Sequence, residues 1–92
     1  MKSETFSNVW EALGETEEAA NLHARAELML ALKEQFEKNG WTQKEAAAKL
    51  GVSQPRISEL SHGKIDLFSL DQLVNYLSKL GLRVDMHIEK AA

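Results

Sequence analysis

Residues 42–60 read TQKEAAAKLGVSQPRISEL, and the fold turns on this stretch. Thr42 and Glu45 have the spacing of a capping box, in which each side chain satisfies a backbone N–H at a helix start. A helix is therefore expected from Gln43 to about Leu50. Gly51 ends it, because that turn favours positive φ, which glycine adopts without strain. Ser53 caps the next helix, and Pro55 lies in its first turn, where a missing N–H costs little. His62 and Gly63 close it. Two helices joined this tightly cross closely, so a small residue is needed midway along the first, and Ala47 supplies it with Ala46 beside it. Val52 then plugs the crossing, and Ile57 and Leu60 turn inward at helical spacing. Ala47, Gly51, Val52, Ile57 and Leu60 thus meet five packing constraints in order. With caps at both helix starts, they specify a helix-turn-helix unit over residues 42–62.

The outward face of the second helix centres on Pro55, Glu59 and His62, flanked by Gln54, Arg56 and Ser58. A recognition helix enters the DNA major groove N-terminus first, so its early residues reach base edges. Arg56 is suited to guanine O6 and N7, and Gln54 to adenine N6 and N7. Pro55 suits a thymine methyl. Glu59 either accepts from cytosine N4 or pairs with Arg56 at i, i+3. Gln54, Pro55, Arg56, Ser58 and Glu59 are therefore the expected base readers. Gln43 starts the first helix of the unit, where side chain and dipole together suit a phosphate. Ser53, His62 and Lys64 are the other phosphate candidates. The competing reading is a helical hairpin that serves only as core, but an exposed Gln-Pro-Arg has no packing role there.

Upstream, residues 1–14 read as a loose arm with a short helical turn over Asn8–Leu13, ended by Gly14. A long first helix follows over residues 15–40. Thr16 is its N-cap, Glu17 and Glu18 sit at the positive end of its dipole, and Gly40 follows Asn39 as the stop. Leu22, Ala26, Met29, Leu32 and Phe36 recur at helical spacing as a buried stripe, widened by Leu28 and Ala31. A helix this long exceeds what a small core needs, leaving part of it for another contact. Trp41, just before the Thr42 cap, suits a hydrophobic staple. Trp10 is either a packing residue or an anchor for a partner.

Downstream, Lys64–Phe68 reads as a loop. Ser69 and Gln72 form a second capping box, opening a fourth helix over residues 69–80 with Gly81 as its stop. Its apolar set is Leu70, Leu73, Val74, Leu77 and Leu80. The period then changes. Leu82, Val84, Met86 and Ile88 alternate with Arg83, Asp85, His87 and Glu89, the pattern of a half-buried strand over residues 82–88. No other segment has strand periodicity. A lone strand leaves its backbone donors and acceptors unpaired, so pairing with the same strand of a second copy is expected. The alternative is a frayed tail held only by Leu82 and Val84.

The chain has 92 residues, enough for one small domain, and is 43% apolar and 27% charged, as soluble globular folds are. The absence of cysteine excludes disulfides and thiolate chemistry and suits a reducing cytosol, so a cytoplasmic location is expected, nucleoid-associated when DNA is bound. The N-terminal MKSETFSNVW lacks the apolar core of a signal peptide, and no apolar run is long enough to span a membrane. Net charge is −3, distributed unevenly. Residues 1–40 carry four basic and eight acidic side chains, residues 41–92 seven basic and six acidic. The acidity ahead of the motif either solvates an exposed face or meets a basic partner. His23, His62 and His87 fall at no metal spacing, and there is no Gly-rich phosphate loop or Ser/His/Asp set. No enzymatic role, metal or cofactor is therefore expected.

Residues 42–64 resemble the helix-turn-helix of the XRE (Cro-type) repressor superfamily. The likeness extends further. The NVWEALG start, the long helix, TQKEAAAKLGVSQPRISELSHGKIDLFSLDQLVNYLSKLG and the terminal strand resemble a compact subfamily of HigA-like antitoxins, from about Asn8 to Ile88. The resemblance implies an all-α, lambda-repressor-like bundle of four to five helices, its short C-terminal β-strand paired in a dimer. It implies a homodimeric repressor that binds a palindromic operator in double-stranded DNA. It also implies a RelE/HigB-like ribonuclease toxin as a further partner, which the antitoxin would neutralise. The alternatives are a stand-alone repressor of the same pattern with no toxin, or a protein-binding inhibitor or dimerisation module with little DNA binding.

Overall fold

The computed structural model describes residues 17–90. The expected N-terminal arm, the Asn8–Leu13 turn, the Thr16 cap and Trp10 lie outside the described residues. Four helices form the described domain: α1 (Glu17–Asn39), α2 (Gln43–Leu50), α3 (Gln54–Ser61) and α4 (Leu70–Lys79). A single 3-10 turn, Ile65–Leu67, links α3 to α4.

The helix starts follow the local chemistry of the sequence. At α2, the Thr42 amide donates to Glu45 Oε1 at 2.8 Å, and the Glu45 amide donates to Thr42 Oγ1 at 3.1 Å. At α4, Ser69 and Gln72 make the same reciprocal pair at 2.9 and 3.1 Å. Ser53 accepts from the Arg56 amide at 3.3 Å and caps α3 with Pro55 in the first turn. The helix ends also share a design. Gly40, Gly51, Gly63 and Gly81 all have positive φ, and the next residue's N–H reaches back five residues to a carbonyl of the last turn. Trp41 bonds Phe36 O, Val52 bonds Ala47 O, Lys64 bonds Glu59 O and Leu82 bonds Leu77 O in this way.

α1 packs chiefly against α4, while α2 packs against α3. Their shared core holds Met29, Leu32 and Phe36 of α1, Ala46, Ala47 and Leu50 of α2, Ile57 and Leu60 of α3, and Leu73, Tyr76 and Leu77 of α4. Ala47, Ile57 and Leu60 are buried as the packing constraints required, and Val52 packs half-buried against them. Trp41 lies 6.3 Å from the Phe36 ring, with Lys49 Nζ 5.4 Å over its own ring.

The buried stripes are shorter or narrower than their periodicity suggested. Ala26 is exposed and Leu22 half-buried, because the rest of the bundle covers only the later turns of α1. On α4, Val74 is exposed and Tyr76 takes an inward place. Phe68, expected in a loop, is 2% exposed and belongs to the core.

The terminal strand is absent. Residues 82–90 carry no regular secondary structure, and the described residues contain no strand. Strand backbone needs a hydrogen-bonding neighbour, and a single copy of this helical domain offers none. Val84 packs half-buried against the core, whereas Met86 and Ile88 are 79% and 84% exposed.

Candidate nucleic-acid interface

Short helices are marginal in isolation, so α2 and α3, of eight residues each, take their orientation from the core beneath them. Two contacts reinforce that orientation. The Gly51 turn at φ +70° redirects the chain, and Lys79 Nζ, reaching from α4, donates to Leu50 O at 2.9 Å. The ammonium satisfies a carbonyl at the negative end of α2, where a cation is favoured. The α2–α3 pair is therefore tied to the rest of the domain at its bend.

At the N-terminus of α3, Ser53, Gln54 and Pro55 are exposed. The Gln54 amide has no hydrogen-bond partner among the described residues, so its donor and acceptor remain available to a base edge. Ser58 is half-buried one turn further on. Its backbone carbonyl lies 2.7 Å from Nδ1 of His62, which caps the helix end. With its Nδ1–H donating to that carbonyl, a neutral His62 presents only an acceptor at Nε2. Gln43, at the first position of α2, and Lys64, after α3, are both exposed. Lys44 is exposed beside Gln43 and is a cation that helix spacing alone did not single out.

Arg56 and Glu59 differ from this exposed set. Arg56 NH1 meets Glu59 Oε1 at 3.1 Å, so the intrahelical ion pair is formed. Arg56 NH2 donates to Leu67 O at 2.7 Å, and its guanidinium carbon lies 4.2 Å above the Phe68 ring. Burial works against the charge, but hydrogen bonding with Glu59 and Tyr76 outweighs it and raises the pKa. Arg56 is thus a permanent cation turned toward the 65–68 segment. Arg25 approaches the same segment from α1, donating to Ile65 O at 3.0 Å and to Phe68 O at 3.3 Å. Its Nε also holds Asn21 Oδ1 at 2.6 Å. Sequence reading missed Arg25, because its partners are backbone carbonyls some forty residues away.

Of the expected readers, Gln54 and Pro55 are exposed at the N-terminus of α3 and Ser58 is half-buried one turn on, Arg56 and Glu59 pair with each other, and Gln43 is exposed at the head of α2. The expected dimer residues Leu82, Val84, Met86 and Ile88 belong to the tail. No helix among the described residues is long and apolar enough to cross a membrane. A family model described as a helix-turn-helix domain matches residues 12–89 of the chain. No curated protein matches it.

Proposed function

The chain belongs to this helix-turn-helix family, and from that premise we propose that it is a sequence-specific transcriptional repressor acting on a palindromic operator. The observation that carries this reading is the capped α3 N-terminus, which presents unpaired Gln54 beside exposed Pro55 on a helix fixed by the core. Gln54, Pro55 and Ser58 then read bases in the major groove, and Gln43, Ser53, His62 and Lys64 hold phosphates. It acts in the cytoplasm, as a binding protein and not as an enzyme.

The working form is a homodimer. Its support is the alternating tail, whose Met86 and Ile88 stand exposed with free backbone on either side. Pairing two tails about a two-fold axis would form the missing strand and set the two α3 helices about one DNA turn apart, roughly 34 Å. The test is selection of duplexes by the purified chain from a random library. The expected product is a palindrome with half-sites about 10 base pairs apart, centre to centre. Recovery of no sequence above background would overturn the reading.

A second reading, compatible with the first, is an antitoxin that neutralises a basic ribonuclease toxin. Its support is the acidic surface of α1, where Glu17, Glu18, Glu27, Glu34 and Glu37 are exposed. Co-expression with the product of the adjacent gene tests it. A neighbour that does not co-purify counts against it and leaves a stand-alone repressor.

A further inference from the structure

The residue most suited by type to read guanine is the one that the fold engages most fully. Arg56 donates to Glu59 and to Leu67 O, and lies over Phe68, whose side chain is itself in the core. Turning outward to a guanine would exchange two hydrogen bonds for two and surrender the aromatic contact. The exchange offers no gain in polar contacts. The segment that Arg56 touches is anchored in the core at Phe68 and partly at Ile65, while Asp66 and Leu67 between them are exposed. Its 3-10 turn has no side-chain cap, and Ile65, Asp66 and Leu67 contribute no fully buried side chain. The amides of Ile65, Leu67 and Phe68 bond within the turn, and two guanidinium groups take its carbonyls. Arg25 takes the carbonyls of Ile65 and Phe68 from the α1 side, and Arg56 takes that of Leu67 from the α3 side. Lys64, an exposed cation of the interface whose own amide bonds Glu59 O, stands at the head of this segment.

We propose that Arg56 is a positioning residue and not a base reader. With Arg25 it clamps residues 65–68, and through them it holds Lys64 against the DNA backbone. The proposal rests on the DNA-binding reading above for its last step only, since the clamp itself belongs to the free protein. The planar fork is essential to it, because two donors and a stacking face act at once. A lysine at this position keeps the charge and loses the geometry.

The experiment uses the full chain with Arg56→Ala, Arg56→Lys, Lys64→Ala and the Arg56→Ala/Lys64→Ala pair. Amide exchange is measured on the free proteins. Binding is measured to the duplex that the wild-type chain selects and to its single-base-pair variants. Both Arg56 variants are expected to speed exchange at residues 65–68 about tenfold while residues 43–50 stay protected, as loss of charge-assisted hydrogen bonds requires. Protection at 43–50 also shows that each variant is folded. Affinity should fall by a similar factor for every duplex, and Lys64→Ala should add little once Arg56 is gone. Unchanged exchange at 65–68 would overturn the clamp. A loss confined to one G·C pair, or full recovery with lysine, would make Arg56 a direct DNA contact instead. A wild-type chain that selects no duplex would overturn the DNA reading and the role given to Lys64, leaving exchange alone to decide whether the clamp exists.

Discussion

Replacing Gly51 by alanine tests how the α2–α3 bend is maintained. Gly51 has φ +70°, and a Cβ built there would lie 3.6 Å from Lys79 Nζ, an ordinary contact. The substitution therefore meets no steric obstacle, and its cost is conformational. An L-residue in the left-handed region loses roughly 1–2 kcal/mol, and alanine's smaller unfolded-state entropy returns part of that, leaving about 1 kcal/mol. Gly63 supplies the control. Its φ is also +70°, and a Cβ there would meet nothing within 4 Å. Gly51→Ala and Gly63→Ala should thus cost nearly the same. In urea titrations followed by tryptophan fluorescence, at one fixed protein concentration, both midpoints should fall with unchanged slope. In calorimetry each should lose roughly 4–8 °C. A Gly51→Ala variant as stable as the parent would refute the conformational argument. A loss above about 3 kcal/mol at Gly51 alone would mean that displacing Lys79 from Leu50 O dominates, since penalties of that size need a second broken contact.

Leu32 is fully buried at the centre of the core, so Leu32→Ala should cost about 2–5 kcal/mol in the same titrations. Gln54→Ala should relax discrimination at one base pair of the selected duplex by roughly 1–3 kcal/mol and leave other positions untouched, as a binding panel would report. Lys64→Ala should weaken all duplexes alike and lower the salt slope of log K by about 1. Ile88→Asp should shift sedimentation from dimer to monomer while leaving the helical circular dichroism intact, because a charge in the paired tail opposes association and Ile88 contributes nothing to the core. A variant that still sediments as a dimer would place the two-fold contact elsewhere.

The helix-turn-helix unit was legible because its determinants are local. Thr42 finds Glu45, and Ser69 finds Gln72, three residues along the chain. Ile57 and Leu60 share a helix face with no help from tertiary structure. The contacts that fix the candidate interface are long-range, and no periodicity announces them. Lys79 holds a carbonyl 29 residues back, and Arg56 one 11 residues ahead. Phe68 escaped notice because it lies between helices, where there is no repeat to mark a buried position. Arg56 carries the sharpest lesson. Its residue type and place on α3 suggest a guanine contact, yet a phenylalanine ring and a carbonyl outside the motif draw it inward. The tail failed for another reason: alternation describes which faces a strand would have, while its formation depends on a second edge that one copy does not possess.

The common way in which the four helices end has a consequence for how this chain tolerates change in length. Each stop is completed within two residues in α1 and α2, and within three in α3 and α4, by a glycine and the following amide, so the short α2–α3 connection has no spare backbone. Between Leu50 and Gln54 only Gly51, Val52 and Ser53 intervene, and each has a task in the turn, the plug or the cap. One added residue there would swing the exposed edge of α3 to another bearing while leaving its composition intact. On the DNA-binding reading proposed above, recognition would be lost before folding was. The α2–α3 connection is therefore the place where a change of one residue in length would re-aim α3 without altering its sequence.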